Sequence, residues 1–381
     1  MPLLVHAEQL PIRIYRTADG LAQNSVDAIT TDKNGYLWFG TAEGLSRFDG
    51  YEFTNYGVNE GLPHAAVNAL LVTSDGGLWA GTSRGLCRFN PESQPPSGHR
   101  FTIYQPSAVR DTQVINALAE DRDGSIWCGT RVGLFRLRRL SPSRAQFDQV
   151  DVGERKREVV TALLVDRQGA LWIGTDGGLG LYRKGLDSQI QHYTTRNGLP
   201  DDNTRSLLED RYGRLWVGTN RGLGLIAPHP DPRGHAVTTV YPLNRRWVSA
   251  AFETSDGRLW FATSNGLWES IPGGAPGEIR GFLSYGTANG FSDDNVYTLA
   301  EDRDGNLWLG TDTGGAMQIA LNGIRTYSEA DGLRGTRIYS LFENRTGELF
   351  AITGVKGEGL AGKKFLQHFV SFRQACVAGP V

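Results

Sequence analysis

Apolar and polar positions in this chain alternate in short runs. Segments such as VNALLV (67–72), INALAE (115–120) and VYTLAE (296–301) show the two-residue period of a half-buried β-strand. Such a run usually leads into D-x-x-G, then LW-x-G-T, then a segment such as GLSRF or GLCRF. A last strand, usually ending in Tyr, follows as FTNY, FTIY or IRTY. The pattern predicts four short antiparallel strands joined by tight turns.

The unit recurs. Trp38, Trp79, Trp127, Trp172, Trp216, Trp260 and Trp308 are separated by 41, 48, 45, 44, 44 and 48 residues. An eighth, decayed copy, NRTGELFAITGVKGEGL, carries Phe350 in the Trp position. Four strands every ~45 residues mark the blades of a β-propeller. One four-stranded sheet cannot bury both faces, so each needs neighbours in a ring. The Trp is expected to fill the gap to the next blade, and the adjoining Gly to let that blade's backbone approach. Asp32, Asp121, Asp166, Asp210 and Asp302, six residues before the Trp, are expected to accept backbone N–H groups in the hairpin turn. Thr73 and Thr254 replace this Asp in the second and sixth units, where Asp75 and Asp256 are expected to take over. The Thr of each LW-x-G-T suits a strand, but the sequence assigns its hydroxyl no partner.

The N-terminal IRIYRTADGL matches the end of a repeat, IRTYSEADGL. It reads as an orphan fourth strand that completes the last blade and pins the ring shut. The expected fold is therefore all-β: a seven-bladed β-propeller of four-stranded antiparallel blades, closed by the N-terminal strand, with eight blades as the alternative. Residues 1–11 read as a signal-peptide remnant or disordered N-terminus, since VHA before Glu8 has the form of a cleavage site. Residues 12–336 form the propeller. Residues 337–381 hold the degenerate eighth repeat, as an eighth blade or the start of a second propeller, and a frayed C-terminus.

Composition narrows the function. With 39 Lys and Arg against 41 Asp and Glu, the net charge of −2 argues against a bulk electrostatic grip on nucleic acid or an anionic membrane. Glycine, at 49 of 381 residues, fits a chain of many tight turns. Cys87, Cys128 and Cys376 give neither a disulfide framework nor a CxxC. No apolar run approaches the ~18 residues of a spanning helix. The seven histidines show no metal spacing, and neither GxSxG nor a Walker pattern occurs. No catalytic residue, metal or cofactor is assigned. The repeated Asp, Gly, Trp and Thr positions are what packing demands; a site needs distinct residues that meet once.

Those distinct residues lie in the loops leading into the innermost strands, around the mouth of the central channel. Asn24, His64, Gln113, Asp202, Asn203, Arg246, Asp294, Asn295 and Arg337 are the expected ligand-binding set. They form a mixed ring of amides, acids and arginines. Trp247 and Trp268, outside the repeat position, are candidates for stacking or for core packing.

The combination D-x-x-G-x-LW-x-GT-x-x-GL-x-RF, preceded by ADGLAQNSVDAI and followed by DGYEF, resembles the two-component regulator propeller family from about Ile12 to Leu360. The resemblance implies the sensory part of a bacterial signalling receptor. Its members typically carry a signal peptide, propeller repeats often numbering fourteen in two rings, a β-sandwich, a membrane helix and a histidine kinase. It implies a periplasmic, exported module that binds an extracellular ligand, with an oligosaccharide as the leading class, and couples to a receptor dimer partner. This chain has about half those repeats and no kinase segment, so no kinase activity is assigned to it. Two other readings remain open. One is a propeller lyase or hydrolase built on His64, Asp202 and Asp294; the other is a scaffold for protein partners.

Overall fold

The computed structural model describes residues 10–91, 100–141, 144–151, 158–182, 190–226, 237–240, 243, 245–321, 337–343, 348–354 and 368–373. The chain divides into two compact units. One comprises 12–287 and 291–322; the other comprises 1–11, 288–290 and 323–381.

The first unit is a seven-bladed propeller. Its innermost strands are Val26–Thr31, Val67–Val72, Ile115–Glu120, Val160–Val165, Thr204–Glu209, Val248–Glu253 and Val296–Glu301, which number blades 1 to 7. Each is followed outward by an LW-x-G-T strand or its variant, such as Leu37–Thr41, and by two more antiparallel strands. The expected closure is present: Ile12–Tyr15 is the outermost strand of blade 7, pairing Ile12 with Ile319 and Tyr15 with Ala316. Successive inner strands touch all the way round, and Val296–Glu301 meets Val26–Thr31. The ring closes at seven. In the second unit, Arg337–Glu343, Glu348–Gly354 and His368–Arg373 form a three-stranded antiparallel sheet in which Phe350 lies opposite Phe342 and Ser371.

The seven repeat indoles are the wedges of the ring, none more than 9% exposed. Trp308 of blade 7 stacks on Tyr15 at 5.1 Å and meets Phe39 of blade 1 edge-on at 5.5 Å. Trp38 of blade 1 likewise clusters with Leu78, Ala80, Cys87 and Phe101 of blade 2. The adjoining glycine is required by contact. A Cβ on Gly81 would lie 2.6 Å from Ile115 Cγ2 of the next blade, and one on Gly129 would lie 2.5 Å from Val160 Cγ1.

The turn aspartate does more than the sequence suggested. Asp32 Oδ1 accepts the N–H groups of Asn34 and Tyr36, as expected, while Oδ2 accepts the indole N–H of Trp38 at 2.8 Å. Asp166, Asp210 and Asp302 hold Trp172, Trp216 and Trp308 in the same way. In blade 6 the substitute Asp256 accepts from Arg258 N and pairs with the Arg258 guanidinium, and Trp260 Nε1 has no acceptor among the described residues. Each repeat threonine also gains a partner. Thr41 Oγ1 donates to Gly44 O at 2.8 Å and accepts from Glu43 N, locking the turn to the third strand. The same bond recurs at Thr82, Thr130, Thr175, Thr219, Thr263 and Thr311.

On the face of the D-x-x-G turns, a belt of hydrogen bonds runs from blade to blade. Lys33 reaches Ser74 O, Glu120 accepts from Ser74, and Arg122 reaches Arg167 O. Glu209 accepts from Arg167 N, Glu253 from Arg211, and Glu301 from Ser255. Arg303 of blade 7 then reaches Lys33 O of blade 1 and completes the circle.

Two substitutions test this packing. Asp210→Ala, which orphans the buried Trp216 indole and takes from Arg214 its paired carboxylate, should lower stability in urea unfolding by about 2–4 kcal/mol. A loss below about 0.5 kcal/mol would show the bond to be redundant. Gly81→Ala should cost about 1–3 kcal/mol through overpacking against Ile115, whereas the Ala262 that blade 6 carries at this position should tolerate change to Gly at under about 1 kcal/mol.

Candidate functional site at the channel mouth

Every inner strand begins with a bulge. Pairing with the second strand slips after the first residue in all seven blades, leaving one extra residue in each. These residues are Asp27, Asn68, Asn116, Thr161, Arg205, Ser249 and Tyr297. A bulge turns its side chain out of the sheet's alternation. At the inner edge of a ring, this sets seven half-buried side chains around the mouth.

Four of them are used for construction. Asn68 Nδ2 donates to Ile115 O, Asn116 Nδ2 to Val160 O, Thr161 Oγ1 to Thr204 O and Ser249 Oγ to Val296 O. Each bond ties a blade to the first inner-strand residue of the next. Asp27, Arg205 and Tyr297 break this rule. In blade 5 the tie is made instead by Ser206, whose hydroxyl donates to Val248 O at 3.3 Å.

The three exceptions and Trp247 form an arc across blades 5, 6, 7 and 1. The Arg205 guanidinium lies 4.8 Å from the Trp247 ring centroid, and Trp247 lies 6.3 Å from Tyr297. Asn295 Nδ2 donates to Tyr297 Oη at 3.4 Å and to Asp312 Oδ2 at 3.3 Å. Burial, and after it the charge of Asp312, push the Tyr297 phenol up from its usual range. Asp27 has no hydrogen-bond or ionic partner among the described residues. Burial, reinforced by Asp312, pushes its carboxyl from 3.8 to about 6.

The loop before blade 6 leans onto blade 5, which brings Trp247 over Arg205. Arg245 N donates to Arg221 O in the blade 5 turn at 2.7 Å. To do so Arg245 adopts φ 63°, the positive φ that every other described residue reserves for glycine. Ser264 N then fixes Trp247 O at 3.2 Å.

The residues expected from the sequence lie in these loops and mostly brace them. Asn24, Asp202 and Asp294 hold three equivalent turns, accepting from Thr17 N, Thr195 N and Thr287 N at 3.0, 2.6 and 2.6 Å. His64 Nδ1 accepts from Ala66 N, and Gln113 Nε2 donates to Ser107 O. Asn203 has a buried Oδ1 with no partner among the described residues. Arg246 stacks over Trp268, at 5.0 Å, and Trp268 is a buried member of the blade 5–6 core. Arg337 opens a strand of the second unit, and its side chain lies outside the described residues. His64, Asp202 and Asp294 fall on blades 2, 5 and 7, no two of them adjacent. Among the described residues no three His, Cys, Asp or Glu are placed to hold a metal. Cys87 and Cys128 are fully buried, and burial raises both thiols, Cys87 to about 12. Among the described residues no helix is long and apolar enough to cross a membrane.

Asp27 supplies a pH test. Its folded pKa lies above the unfolded one, so the folded state holds the proton more tightly and loses stability as pH rises from about 4 to about 6. Asp27→Asn should therefore unfold at higher urea than the parent at pH 7, by on the order of 2 kcal/mol, with the gain vanishing near pH 4. An equal gain at both pH values would rule out a perturbed carboxyl.

The comparisons agree with this architecture. The model of the two component regulator propeller matches residues 20–43, 61–84, 110–131, 156–177, 198–221, 242–265 and 290–313, one segment per blade. A stretch of 45 residues, 12% of this chain and 3% of the relative, is 49% identical to Histidine kinase P4 of Formosa agariphila. Among solved structures, the extracellular domain of a protein assigned to the hybrid two component systems of B. thetaiotaomicron is similar at a TM-score of 0.70 and 23% identity. That match covers 92% of this chain and 47% of the other. Virginiamycin B lyase from Staphylococcus aureus is similar at a TM-score of 0.60 and 15% identity, over 83% of this chain and 100% of the other. At these identities the two likenesses concern the fold. The chain spans about half the length of the receptor domain it matches. Seven matched segments on seven blades decide the matter: the chain belongs to the two component regulator propeller family.

Proposed function

We propose that this chain is an extracytoplasmic ligand-recognition module of a bacterial two-component receptor, non-catalytic in itself, which takes a glycan fragment at the channel mouth. Family membership supports a sensory role, as do a 45-residue likeness to a histidine kinase and a likeness of fold to a receptor extracellular domain. The observation that carries the reading is the broken ring of bulges. Asn68, Asn116, Thr161 and Ser249 tie blades together, whereas Asp27, Arg205 and Tyr297 make no such tie. Aromatic rings, amides and carboxylates side by side suit a polyhydroxylated ligand, whose hydroxyls donate to the acids while its apolar faces meet the rings. Binding there bridges blades 5 to 1 and so changes the contacts that a propeller passes on to a receptor partner.

The test is a thermal-shift screen of the 381-residue chain against neutral and acidic oligosaccharides. A ligand at a hundred times its Kd should stabilise the fold by about 2.7 kcal/mol. Substitution of Trp247 by Ala should remove most of that shift, and the sugar should be recovered intact after prolonged incubation. A panel without any shift would overturn the glycan reading, and conversion of a bound sugar would overturn the non-catalytic one.

A further inference from the structure

Arg205 is oriented without being neutralised. Its Nε donates to Asn220 Oδ1 at 2.8 Å, and its plane lies over Trp247 at 4.8 Å. Asn220 is itself anchored, its N–H donating to Asn203 O at 3.0 Å. Three features of the guanidinium are thereby fixed: one edge, its plane and its place on the inner edge of blade 5. The terminal Nη atoms have no hydrogen-bond partner, and Arg205 forms no ion pair, among the described residues. The nearby acid Asp201 is engaged elsewhere, accepting from Asn203 N at 2.9 Å and facing Arg221 at 3.8 Å.

Other arginines of the propeller show what a satisfied guanidinium looks like here. Arg136 is held by Asp121 and Asp123, and Arg258 by Asp256 and Glu269. In both, stacking on the repeat indole accompanies pairing with two carboxylates. Arg205 has the stacking without the carboxylates. Two parallel N–H donors on a rigid plane match the two oxygens of a carboxylate. Beside them, Trp247 Nε1 and Asn203 Oδ1 are a buried donor and a buried acceptor with no partner among the described residues.

We propose that Arg205 is the specificity determinant of the mouth site, selecting a carboxylate-bearing sugar whose acid group it grips in a bidentate fork. This deepens the glycan reading and rests on it. The acids Asp27 and Asp312 lie at the far end of the arc, on blade 1 and the blade 7 turn. There they repel a second anionic group and accept hydroxyl donors, so the site reads a polarity along the ligand: acid toward blade 5, hydroxyls toward blade 1.

Calorimetric titration of the 381-residue chain with trigalacturonate and with galactotriose tests this. The acidic trisaccharide should bind at least about tenfold more tightly, with an affinity that falls as salt rises. Arg205→Lys, which keeps the charge and loses the fork, should weaken trigalacturonate by about tenfold and leave galactotriose unchanged. Arg205→Gln should abolish the preference, and an unchanged melting temperature should show that both variants fold. Asn220→Ala, which releases Nε without touching the ligand, should give a smaller loss confined to the acidic sugar. Equal binding of the two sugars, or wild-type affinity in Arg205→Lys, overturns the proposal while leaving glycan recognition in place. Failure of both to bind overturns it as well, and glycan recognition then stands or falls by the wider panel.

Discussion

A single contact, made seven times, holds this molecule in shape: an indole on the second strand of one blade buried against the next. Each ring removes roughly 150–250 Å² from water, and the contact works only where the next inner strand can come close. The glycine two residues after the Trp permits that approach, and a methyl group there would strike Ile115 or Val160. The aspartate completes the arrangement by capping the hairpin with one oxygen and holding the indole N–H with the other. Because the contact is directional, from each blade to its successor, it propagates until the last blade meets the first. Trp308 against Phe39 is that meeting.

Once the outer parts of every blade are committed to packing, freedom is confined to the inner edge. The bulge at the head of each inner strand is what creates it. An extra residue that pairs with nothing can bond to the adjacent blade, as Asn68 and Asn116 do, or face the channel. Stability and the proposed recognition thus share one structural position, and the choice between them is made residue by residue. Ser206 illustrates the exchange, since its hydroxyl restores the tie that Arg205 does not make.

The left-handed backbone at Arg245 belongs to the same economy of positions. A β-propeller supplies equal spacing, but a site requires unequal neighbours. The blade 6 loop obtains one by bending toward Arg221 of blade 5 and setting Trp247 over Arg205. Opposite charges then stand at the two ends of the arc, with aromatic rings and an amide between them. The electrostatics there differ in kind from those of the D-x-x-G face, where Lys33, arginines and glutamates reach groups of the neighbouring turn in a continuous belt.

Repetition made most of the fold legible. The Trp spacing, the turn aspartates and the orphan N-terminal strand follow from local chemistry that each repeat states again, so the blades, their order and the closing strand could be read directly. The second role of Asp32 was visible only as a fixed six-residue offset from Trp38. The site was harder. The side chains of the loop residues Asn24, His64, Gln113, Asp202 and Asp294 brace turns. The arc lies three positions beyond Asn24, Asp202 and Asp294, at Asp27, Arg205 and Tyr297. A bulge leaves no mark in a two-residue alternation, because the extra residue becomes apparent only when the partner strand fixes the register. Likewise, Arg205, Trp247, Tyr297 and Asp312 come from three blades, and only closing the ring sets them side by side. The sequence by itself determined what repeats, since burial must be solved in every unit. The tertiary structure decided what is singular, because a meeting of unlike residues exists only once the sheets are in place.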